Sequence, residues 1–254
     1  MTNTPASPEK AALDGAWQSA GATHAGKVRP INEDAFVQRP DIGVWGVADG
    51  MGGHDAGDVA SAMIVDSLAQ IDSTPSLAAR MDAIDDAMEA VNRELVARGE
   101  RSGKGIMGST VAILALDRHG LGAVMWAGDS RIYRYRNGNL EQLSTDHSQV
   151  EEYVEQGLIK RSEAASHPES NVVTRALGSR GDEILEADLC DVARRDRFLL
   201  CSDGLIRHLG DDEIAAFLAE GDAASACARL LDCTLDRGSV DNTTILVVDI
   251  MDLS

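Results

Sequence analysis

The chain has 254 residues, 44% of them apolar and 26% charged, a composition typical of a globular domain with a sizeable core. Its 42 Asp and Glu residues outnumber 23 Lys and Arg, and the formal net charge of −19 argues against nucleic acid or anionic membrane as the main partner. No window approaches the ~18 apolar residues of a membrane span, and the N-terminus lacks a secretory signal pattern, so a cytoplasmic protein is expected.

The domain organisation is predicted to be simple. Residues 1–15 are small and polar and are predicted to be disordered, while residues 16–254 are predicted to form one domain. Four cysteines show neither metal-ligand nor disulfide spacing and are expected to be free thiols: Cys190, Cys201, Cys227 and Cys233.

The first half of the chain alternates between helical and strand patterns. The apolar run VWGVA at 44–48 predicts a buried strand that ends at Asp49 and Gly50. Apolar residues then recur at helical spacing over 56–70 and 76–98. Strand-like stretches follow, and an Asn-Gly pair predicts a hairpin turn after the last of them: residues 109–116, 122–127 and 131–136, with Asn137 and Gly138 in the turn.

The second half continues this alternation after a polar interruption. Residues 146–178 are polar and helix-prone, with a break at His167 and Pro168. Residues 197–201 and 243–250 read as strands, and residues 211–237 as two helices. Strands and helices grouped in this way predict an α+β fold in which helices cover sheets.

Acidic residues occur repeatedly where an apolar strand begins or ends, namely Glu33, Asp34, Asp49, Asp129, Asp203 and Asp241. Any one of them could be a turn former or a helix cap. Carboxylates brought together repel one another unless a cation compensates their charge, so the set as a whole predicts bound metal. Oxygen ligands without His or Cys favour Mg²⁺ or Mn²⁺ over zinc.

Eight short motifs occur in order along the chain: RPINED at 29–34, VADGMGGH at 47–54, GST at 108–110, WAGDSR at 126–131, LSTDHS at 143–148, TRALG at 174–178, LLCSDGL at 199–205 and DNTT at 241–244. This ordered set resembles the PPM (PP2C-type) family of metal-dependent serine/threonine phosphatases, in its short bacterial branch. The resemblance extends from about residue 18 to residue 250.

The resemblance implies an α-β-β-α sandwich of two central antiparallel sheets flanked by helix pairs, with a metal centre in a cleft at one edge. A small flap is expected at about 147–173, where the chain is polar and has no family motif of its own. The implied cofactors are two central Mn²⁺ or Mg²⁺ ions and a third, weaker one. The implied partners are phosphorylated proteins and a cognate Ser/Thr kinase, with a monomeric enzyme and no binding to nucleic acid or membrane.

The resemblance also implies a role for each residue of the metal centre. Asp49 bridges the two central ions. Asp203 and Asp241 bind the first ion, and the Gly50 carbonyl and Glu33 bind the second, Glu33 in part through water.

Four further residues are expected around the ions. By resemblance, Asp34 orients a metal-coordinated water and Arg29 binds the substrate phosphate through a bidentate pair. Asp129, together with Asp203, corresponds to the position of the third ion in bacterial members. Asn242 is expected to orient the Asp241 loop.

The leaving-group acid is not assigned by these motifs. Animal members have a histidine directly after the Asp-Gly pair, where this chain has Met51. His54 is expected to support the loop or the following helix, and a coordinated water is the better candidate for the acid. Ser109 and Thr110 are expected to pack at a strand start, while His147 and His167 are expected to be solvated in the flap.

Three alternative functions remain open. The spacing from Cys201 to Arg207 fits the C-x5-R pattern of cysteine-dependent tyrosine phosphatases, although Asp203 would repel both the thiolate and a phosphate. A small-molecule phosphatase could use the same metal centre. A non-catalytic binding protein could keep the fold but would be expected to lack some of the carboxylates, and none is missing here.

Overall fold

The computed structural model describes residues 8–13, 15–52, 56–102, 107–180 and 184–253. The strands are β1 (Glu9–Leu13), β2 (Trp17–His24), β3 (Asp34–Arg39), β4 (Val44–Gly52), β5 (Met107–Ser109), β6 (Val111–Leu116), β7 (Leu121–Ala127), β8 (Arg131–Arg136), β9 (Asn139–Gln142), β10 (Glu186–Asp191), β11 (Arg197–Cys201) and β12 (Thr243–Ile250). The helices are α1 (Gly57–Ala69), α2 (Leu77–Ser102), α3 (Gln149–Glu155), α4 (Arg161–Ala164), α5 (Asp203–Ile206), α6 (Asp211–Leu218) and α7 (Ala223–Asp236).

The strands form two antiparallel sheets. The first has the order β1-β2-β12-β11-β8-β9, and the second has the order β10-β7-β6-β4-β3, with β5 paired to β4. The sheets pack face to face through a shared apolar core, to which the second contributes Trp45 and Leu114 and the first contributes Phe198 and Val248. The chain thus forms the two central sheets that the motifs imply.

Strand β6 shows how one strand serves two cores. All of its residues are buried. Val111 and Ile113 pack in the core beneath α1 and α2, whereas Ala112 and Leu114 pack between the sheets. Because successive side chains of a strand point to opposite faces, an uninterrupted apolar run is what a strand in the middle of a layered fold requires.

Helix pairs cover the outer faces of both sheets. Ile64 of α1 and Ile84 of α2 pack on the second sheet, and Ile214 of α6 and Leu230 of α7 pack on the first. These contacts complete an α-β-β-α sandwich and confirm the predicted fold class. No helix in the described part of the chain is long and apolar enough to cross a membrane.

The observed elements confirm most of the predicted ones and correct others. Asn137 and Gly138 have φ angles of 52° and 87° and join β8 to β9, as the hairpin prediction requires. The predicted strand end at Asp49 is wrong, because β4 continues through Gly50 to Gly52 and pairs there with β5. Strands β3 and β9 were implied only by the acidic strand start and by the hairpin turn, and strands β2 and β10 were not predicted.

The N-terminal segment differs from its prediction within residues 9–13. These residues form β1, an edge strand that pairs antiparallel with β2, although the whole of residues 1–15 was predicted to be disordered. Edge pairing is made by backbone N–H and C=O groups, which every sequence carries, so a polar strand of this kind leaves little signal in the hydrophobic pattern.

The ends of the predicted flap, residues 147–173, lie side by side. Ser148 pairs with Val173 in an isolated bridge, and the amide of Thr174 donates to the His147 carbonyl. Between these ends lie α3 and α4, and Arg161 forms an ion pair with Glu151 across them. The segment therefore leaves the sandwich and returns to it at one point, as an insertion does.

The layered core generates a stability prediction. Leu114 is fully buried between the sheets, whereas Leu189 on β10 is 56% exposed. We expect Leu114→Ala to lower the free energy of unfolding by about 2–5 kcal/mol, because it removes buried apolar contacts and leaves a cavity. The matched Leu189→Ala should change it by less than about 0.5 kcal/mol. Urea denaturation of both variants measures the difference, and equal effects would contradict the assignment of the core.

Candidate metal centre

Strand pairing and strand ends bring the predicted acidic residues to one edge of the sandwich. Asp34 begins β3 and lies opposite Asp49 of β4 in the antiparallel register. Asp203 follows β11 at the start of α5, Asp241 lies just before β12, and Asp129 lies in the turn between β7 and β8. The site thus draws carboxylates from both sheets.

The electrostatics show that these carboxylates are neighbours. Burial raises the pKa of Asp49 well above its ordinary value. The negative charges of four other aspartates raise it further, in decreasing order Asp34, Asp203, Asp129 and Asp241. A carboxyl surrounded by like charges holds its proton more tightly, unless a cation offsets them.

Asp34 is buried at the junction of the two sheets. Its Oδ2 accepts hydrogen bonds from Ser202 Oγ at 2.7 Å and from Thr244 Oγ1 at 2.8 Å. Its Oδ1 is buried and has no hydrogen-bond partner among the residues that the structure describes. Burial, with the charges of Asp203 and Asp241, raises the pKa of Asp34 to about 7. A buried acceptor without a donor costs about 1–3 kcal/mol, so Oδ1 is available to a ligand.

A chain of hydrogen bonds leads to Asp34 from outside the sheet junction. Asn32 Nδ2 donates to Thr23 Oγ1 at 2.8 Å, and Thr23 lies 2.7 Å from Thr244 Oγ1. Because the Thr244 hydroxyl donates its proton to Asp34, it accepts the hydrogen bond from the Thr23 hydroxyl. Each group in the chain therefore donates toward Asp34. This order stabilises the charged form of Asp34 against its burial.

The backbone of Asp49 is held by two hydroxyl residues. Ser109 Oγ donates to the Asp49 carbonyl at 2.9 Å, and the amide of Thr110 donates to the same oxygen at 2.9 Å. Thr110 Oγ1 lies 2.8 Å from Ser130 Oγ, which ties this contact to the turn that carries Asp129. Ser109 and Thr110 therefore support the position of Asp49, in keeping with the structural role expected for them.

Gly50 lies where no side chain can be accommodated. A Cβ atom there would be 2.0 Å from the Gly57 carbonyl oxygen and 2.6 Å from that of Glu33. Gly57 begins α1, and its amide donates to the Glu33 carboxylate, whose pKa is nevertheless raised by burial. Close packing of three backbone segments therefore fixes Glu33 beside Gly50.

Asn242 connects the two loops that carry predicted site residues. Its Oδ1 accepts from the Glu33 amide at 2.8 Å, and its Nδ2 donates to the carbonyls of Ala25 and Ile31 at 3.0 and 2.9 Å. Asn242 was expected to orient the Asp241 loop. Its side-chain bonds saturate backbone groups of the loop that contains Arg29 and Glu33, and they therefore hold that loop against the Asp241 loop.

Arg29 forms a bidentate ion pair with Asp241. Nε lies 2.9 Å from Oδ1 and Nη2 lies 2.9 Å from Oδ2. The Arg29 side chain is 54% exposed, so its guanidinium remains accessible from solvent. The structure thus brings Arg29 to the acidic cluster, on the same face as the carboxylates.

Arg207 is a cleft residue that the sequence analysis missed as part of this cluster. Its Nε donates to Asp203 Oδ2 at 2.9 Å, and its Nη2 forms a second short contact with the same oxygen. Burial raises the pKa of Asp203, although Arg207 opposes this shift. The sequence did contain an indication of this ion pair, because Asp203 and Arg207 have the i, i+4 spacing of helical ion pairs.

Asp129 is buried in the turn between β7 and β8. Burial, together with the charges of Asp203 and Asp146, raises its pKa to about 7. The turn is held by His147, whose Nδ1 accepts from the Gly128 amide at 3.1 Å and whose own amide donates to the Gly128 carbonyl at 2.9 Å. The expectation that His147 is solvated is wrong. Its ring stacks on Trp126 and contacts Glu186.

Cys201 lies in β11 and packs in the apolar core beneath α6 and α7. Burial raises its pKa to about 12, so the thiolate that a cysteine-dependent phosphatase requires is disfavoured. Arg207 is engaged by Asp203 and does not cradle an anion beside the sulfur. The thiol-phosphatase alternative therefore has no site here. His54, considered as a leaving-group acid, lies outside the described residues.

The donor set fits a hard divalent cation. Among the described residues, no three His, Cys, Asp or Glu side chains converge closely enough to enclose an ion as they stand, and two of the aspartates bind arginines instead. The coupled aspartates, the unsatisfied Asp34 Oδ1 and the purely oxygen donors nevertheless suit Mg²⁺ or Mn²⁺. The carboxylates are near enough for their charges to interact.

Comparison with known proteins identifies the family. Residues 20–238 match the protein phosphatase 2C family. The chain is 36% identical over 236 residues to the serine/threonine protein phosphatase PstP of Mycobacterium tuberculosis, covering 92% of this chain but 45% of that protein. The chain thus spans about half the length of that relative. It belongs to the protein phosphatase 2C family.

Solved structures share the fold. One is PppA, described as a key regulatory component of T6SS in Pseudomonas aeruginosa, with a TM-score of 0.86, 41% identity and coverage of 92% of this chain and 97% of that one. Another is the catalytic domain of PstP in complex with two manganese ions, with a TM-score of 0.83, 31% identity and coverage of 93% and 99%. The α-β-β-α sandwich is therefore the fold of this family.

The raised carboxyl pKa values generate a prediction of pH-dependent stability. A carboxyl whose folded pKa is raised favours the folded state at low pH, and this contribution is lost as pH rises through the folded pKa. For Asp34 and Asp129 that folded value is about 7. In EDTA we therefore expect the Tm to fall between pH 6 and pH 8, and Mn²⁺ to raise the Tm more at pH 8, where these groups are ionised. A Tm in EDTA that increases over this range would contradict the prediction.

Proposed function

We propose that this chain is a Mn²⁺- or Mg²⁺-dependent protein serine/threonine phosphatase that hydrolyses phosphoserine and phosphothreonine monoesters. The observation that carries the proposal is that four other aspartates lie near enough to Asp49, at one edge of the sandwich, for their charges to raise its pKa. Such a concentration of carboxylates is unfavourable without a cation and serves no packing purpose. Membership of the protein phosphatase 2C family supplies the reaction class.

Within this proposal, the carboxylates divide between two central ions. Asp49 would serve both ions, Asp203 and Asp241 would hold one, and Glu33 with the Gly50 carbonyl would hold the other. When bound, such ions neutralise a phosphate dianion and supply an activated water for in-line attack. The tight packing of Gly50 against Gly57 keeps this part of the backbone close to Glu33 and free of side-chain atoms.

Arg29 and Asp34 act on the substrate and the water. The exposed guanidinium of Arg29 exchanges its bidentate pairing with Asp241 for a bidentate pairing with the phosphate, since both partners present two oxygens in one plane. Asp34 keeps Oδ2 bound to Ser202 and Thr244, which leaves Oδ1 to accept a hydrogen bond from the attacking water and so orient it.

The finer assignments extend this proposal. Asp129 and Asp203 share a third, weaker ion, and Asn242 holds the Arg29–Glu33 loop in place. Residues 16–254 act as one catalytic domain with the flap at 147–173. The substrates are proteins phosphorylated by a cognate Ser/Thr kinase, and the enzyme works as a monomer.

Metal dependence is the first test. We expect hydrolysis of p-nitrophenyl phosphate and of a phosphothreonine peptide to require Mn²⁺ or Mg²⁺ and to stop in excess EDTA. Cys201→Ser should retain activity, because the buried thiol takes no part. Full activity in chelator would refute the metal mechanism. Turnover of phosphorylated metabolites but of no phosphopeptide would instead favour the small-molecule phosphatase.

Substitution of the acidic residues tests their roles. Asp49→Asn and Asp203→Asn should each lower kcat by at least ~10³, on the order of 4 kcal/mol, because each removes a cation ligand. Arg29→Ala should act mainly on KM, since the guanidinium binds substrate and transition state alike. Steady-state kinetics at saturating Mn²⁺ distinguishes the two classes. A kcat near wild type for either aspartate variant would refute the assignment.

The flap prediction concerns substrate choice. Leu158 lies between α3 and α4 and is 65% exposed. We expect Leu158→Ser to lower hydrolysis of a phosphoprotein several-fold more than hydrolysis of p-nitrophenyl phosphate, because only the larger substrate reaches beyond the cleft. Leu189→Ser, on β10 outside the flap, is the matched control. Equal effects of Leu158→Ser on both substrates would count against a role for the flap.

A further inference from the structure

Arg207 is tethered to the metal centre by the helix that carries one of its ligands. It follows α5 and lies one helical turn beyond Asp203. Two of its three donor nitrogens, Nε and Nη2, reach the same oxygen, Asp203 Oδ2, and leave Oδ1 to other partners. The pair is largely shielded from solvent, with side chains 29% and 13% exposed.

The guanidinium of Arg207 also acts on Asp129 and Asp241. The negative charges of Asp203, Asp241 and Asp129 each raise the pKa of Arg207. In return, the positive charge of Arg207 opposes the upward shift in the pKa of Asp129. Arg207 therefore lies among several acidic groups of the cleft, and two of them are the pair assigned to the third ion.

Arg207 differs from Arg29, the other arginine of the cluster. Arg29 reaches Asp241 from a loop distant in sequence, and its side chain is 54% exposed, so it can turn toward solvent or substrate. Arg207 is held within one helical turn of Asp203 and cannot move far from it. Its positive charge remains beside Asp203 whichever partner the guanidinium binds.

We propose that Arg207, the cation that pairs with Asp203, sets the affinity of this side of the cleft for divalent metal. This inference rests on the proposed function. An ion bound by both carboxylates must take Asp203 Oδ2 from the guanidinium, or bind through Oδ1 alone against a nearby positive charge. In either case Arg207 lowers the affinity of the site for the additional ion. This ion therefore exchanges with solvent while the central ions remain bound.

Manganese binding, measured without substrate, tests the proposal. Electron paramagnetic resonance of free Mn²⁺ would follow a titration of the full chain and of Arg207→Ala, with Tm recorded for both. We expect Arg207→Ala to lower the Kd of the weakest ion at least about tenfold. Arg207→Lys keeps the charge but loses the planar fork, so its Kd should lie between the other two.

Two controls isolate the effect. Arg93→Ala also removes one positive charge from an i, i+4 ion pair, with Glu89 on the surface of α2, and should leave all Mn²⁺ affinities unchanged. In an Asp129→Ala background, Arg207→Ala should no longer lower the Kd of the weakest Mn²⁺ ion, because one of the two carboxylates proposed to bind that ion is gone. This background separates the third ion from any effect of Arg207 on the central ions through Asp203.

The outcomes are distinguishable. Should Arg207→Ala and Arg207→Lys both leave the weakest Kd within twofold of wild type, the proposal is wrong while the central site stands. A gain in affinity that persists in the Asp129→Ala background would assign Arg207 to the central ions instead and also overturn it. Absence of any tight Mn²⁺ binding to the wild-type chain would refute the proposed function itself.

Discussion

Aspartates from both sheets approach one another at a single edge of the sandwich, and each makes it harder for its neighbours to carry a negative charge. Burial raises the pKa of Asp49 well above its ordinary value, and the surrounding charges add to the shift. A folded protein tolerates this arrangement only when its rigid frame overcomes the repulsion. The strand pairing of Asp34 with Asp49 and the packed core behind it provide that frame.

The neighbouring groups compensate this charge in different ways. Hydroxyl donors from Ser202 and Thr244 stabilise one oxygen of Asp34. Guanidinium groups pair with Asp241 and Asp203, but the two arginines differ in freedom, since Arg29 extends from a loop and Arg207 is fixed one turn beyond its partner. A mobile positive charge suits the capture of an anionic substrate, whereas a fixed one suits the tuning of metal affinity.

The site also depends on the two sheets remaining in contact. Asp34 belongs to the second sheet, while its hydrogen-bond donors follow β11 or lie in β12 of the first. Asn242, just before β12, fixes the loop before β3 in the same way. Any loss of packing between the sheets would therefore separate the carboxylates. The geometry of the acidic site therefore depends on the apolar core between the sheets.

The sequence by itself determined the features that depend on local pattern. Helical spacing placed α1, α2, α6 and α7 nearly correctly, and apolar runs ending in aspartate located the carboxylates of the site. The Asn-Gly pair determined the turn between β8 and β9 through its positive φ angles. Ordered motifs supplied the family and the layered fold, because each motif is a short run of residues that can be read without knowing its partners.

Only the tertiary structure decided which distant groups meet. The pairing of Arg29 with Asp241, the unsatisfied oxygen of Asp34 and the contact of His147 with Gly128 all depend on segments separated in the chain. The edge strand β1 forms through backbone hydrogen bonds, which the side-chain pattern does not predict. Hydrophobic periodicity reports how a residue relates to its neighbours in sequence, whereas burial and charge coupling depend on neighbours in space, which the folded chain alone provides.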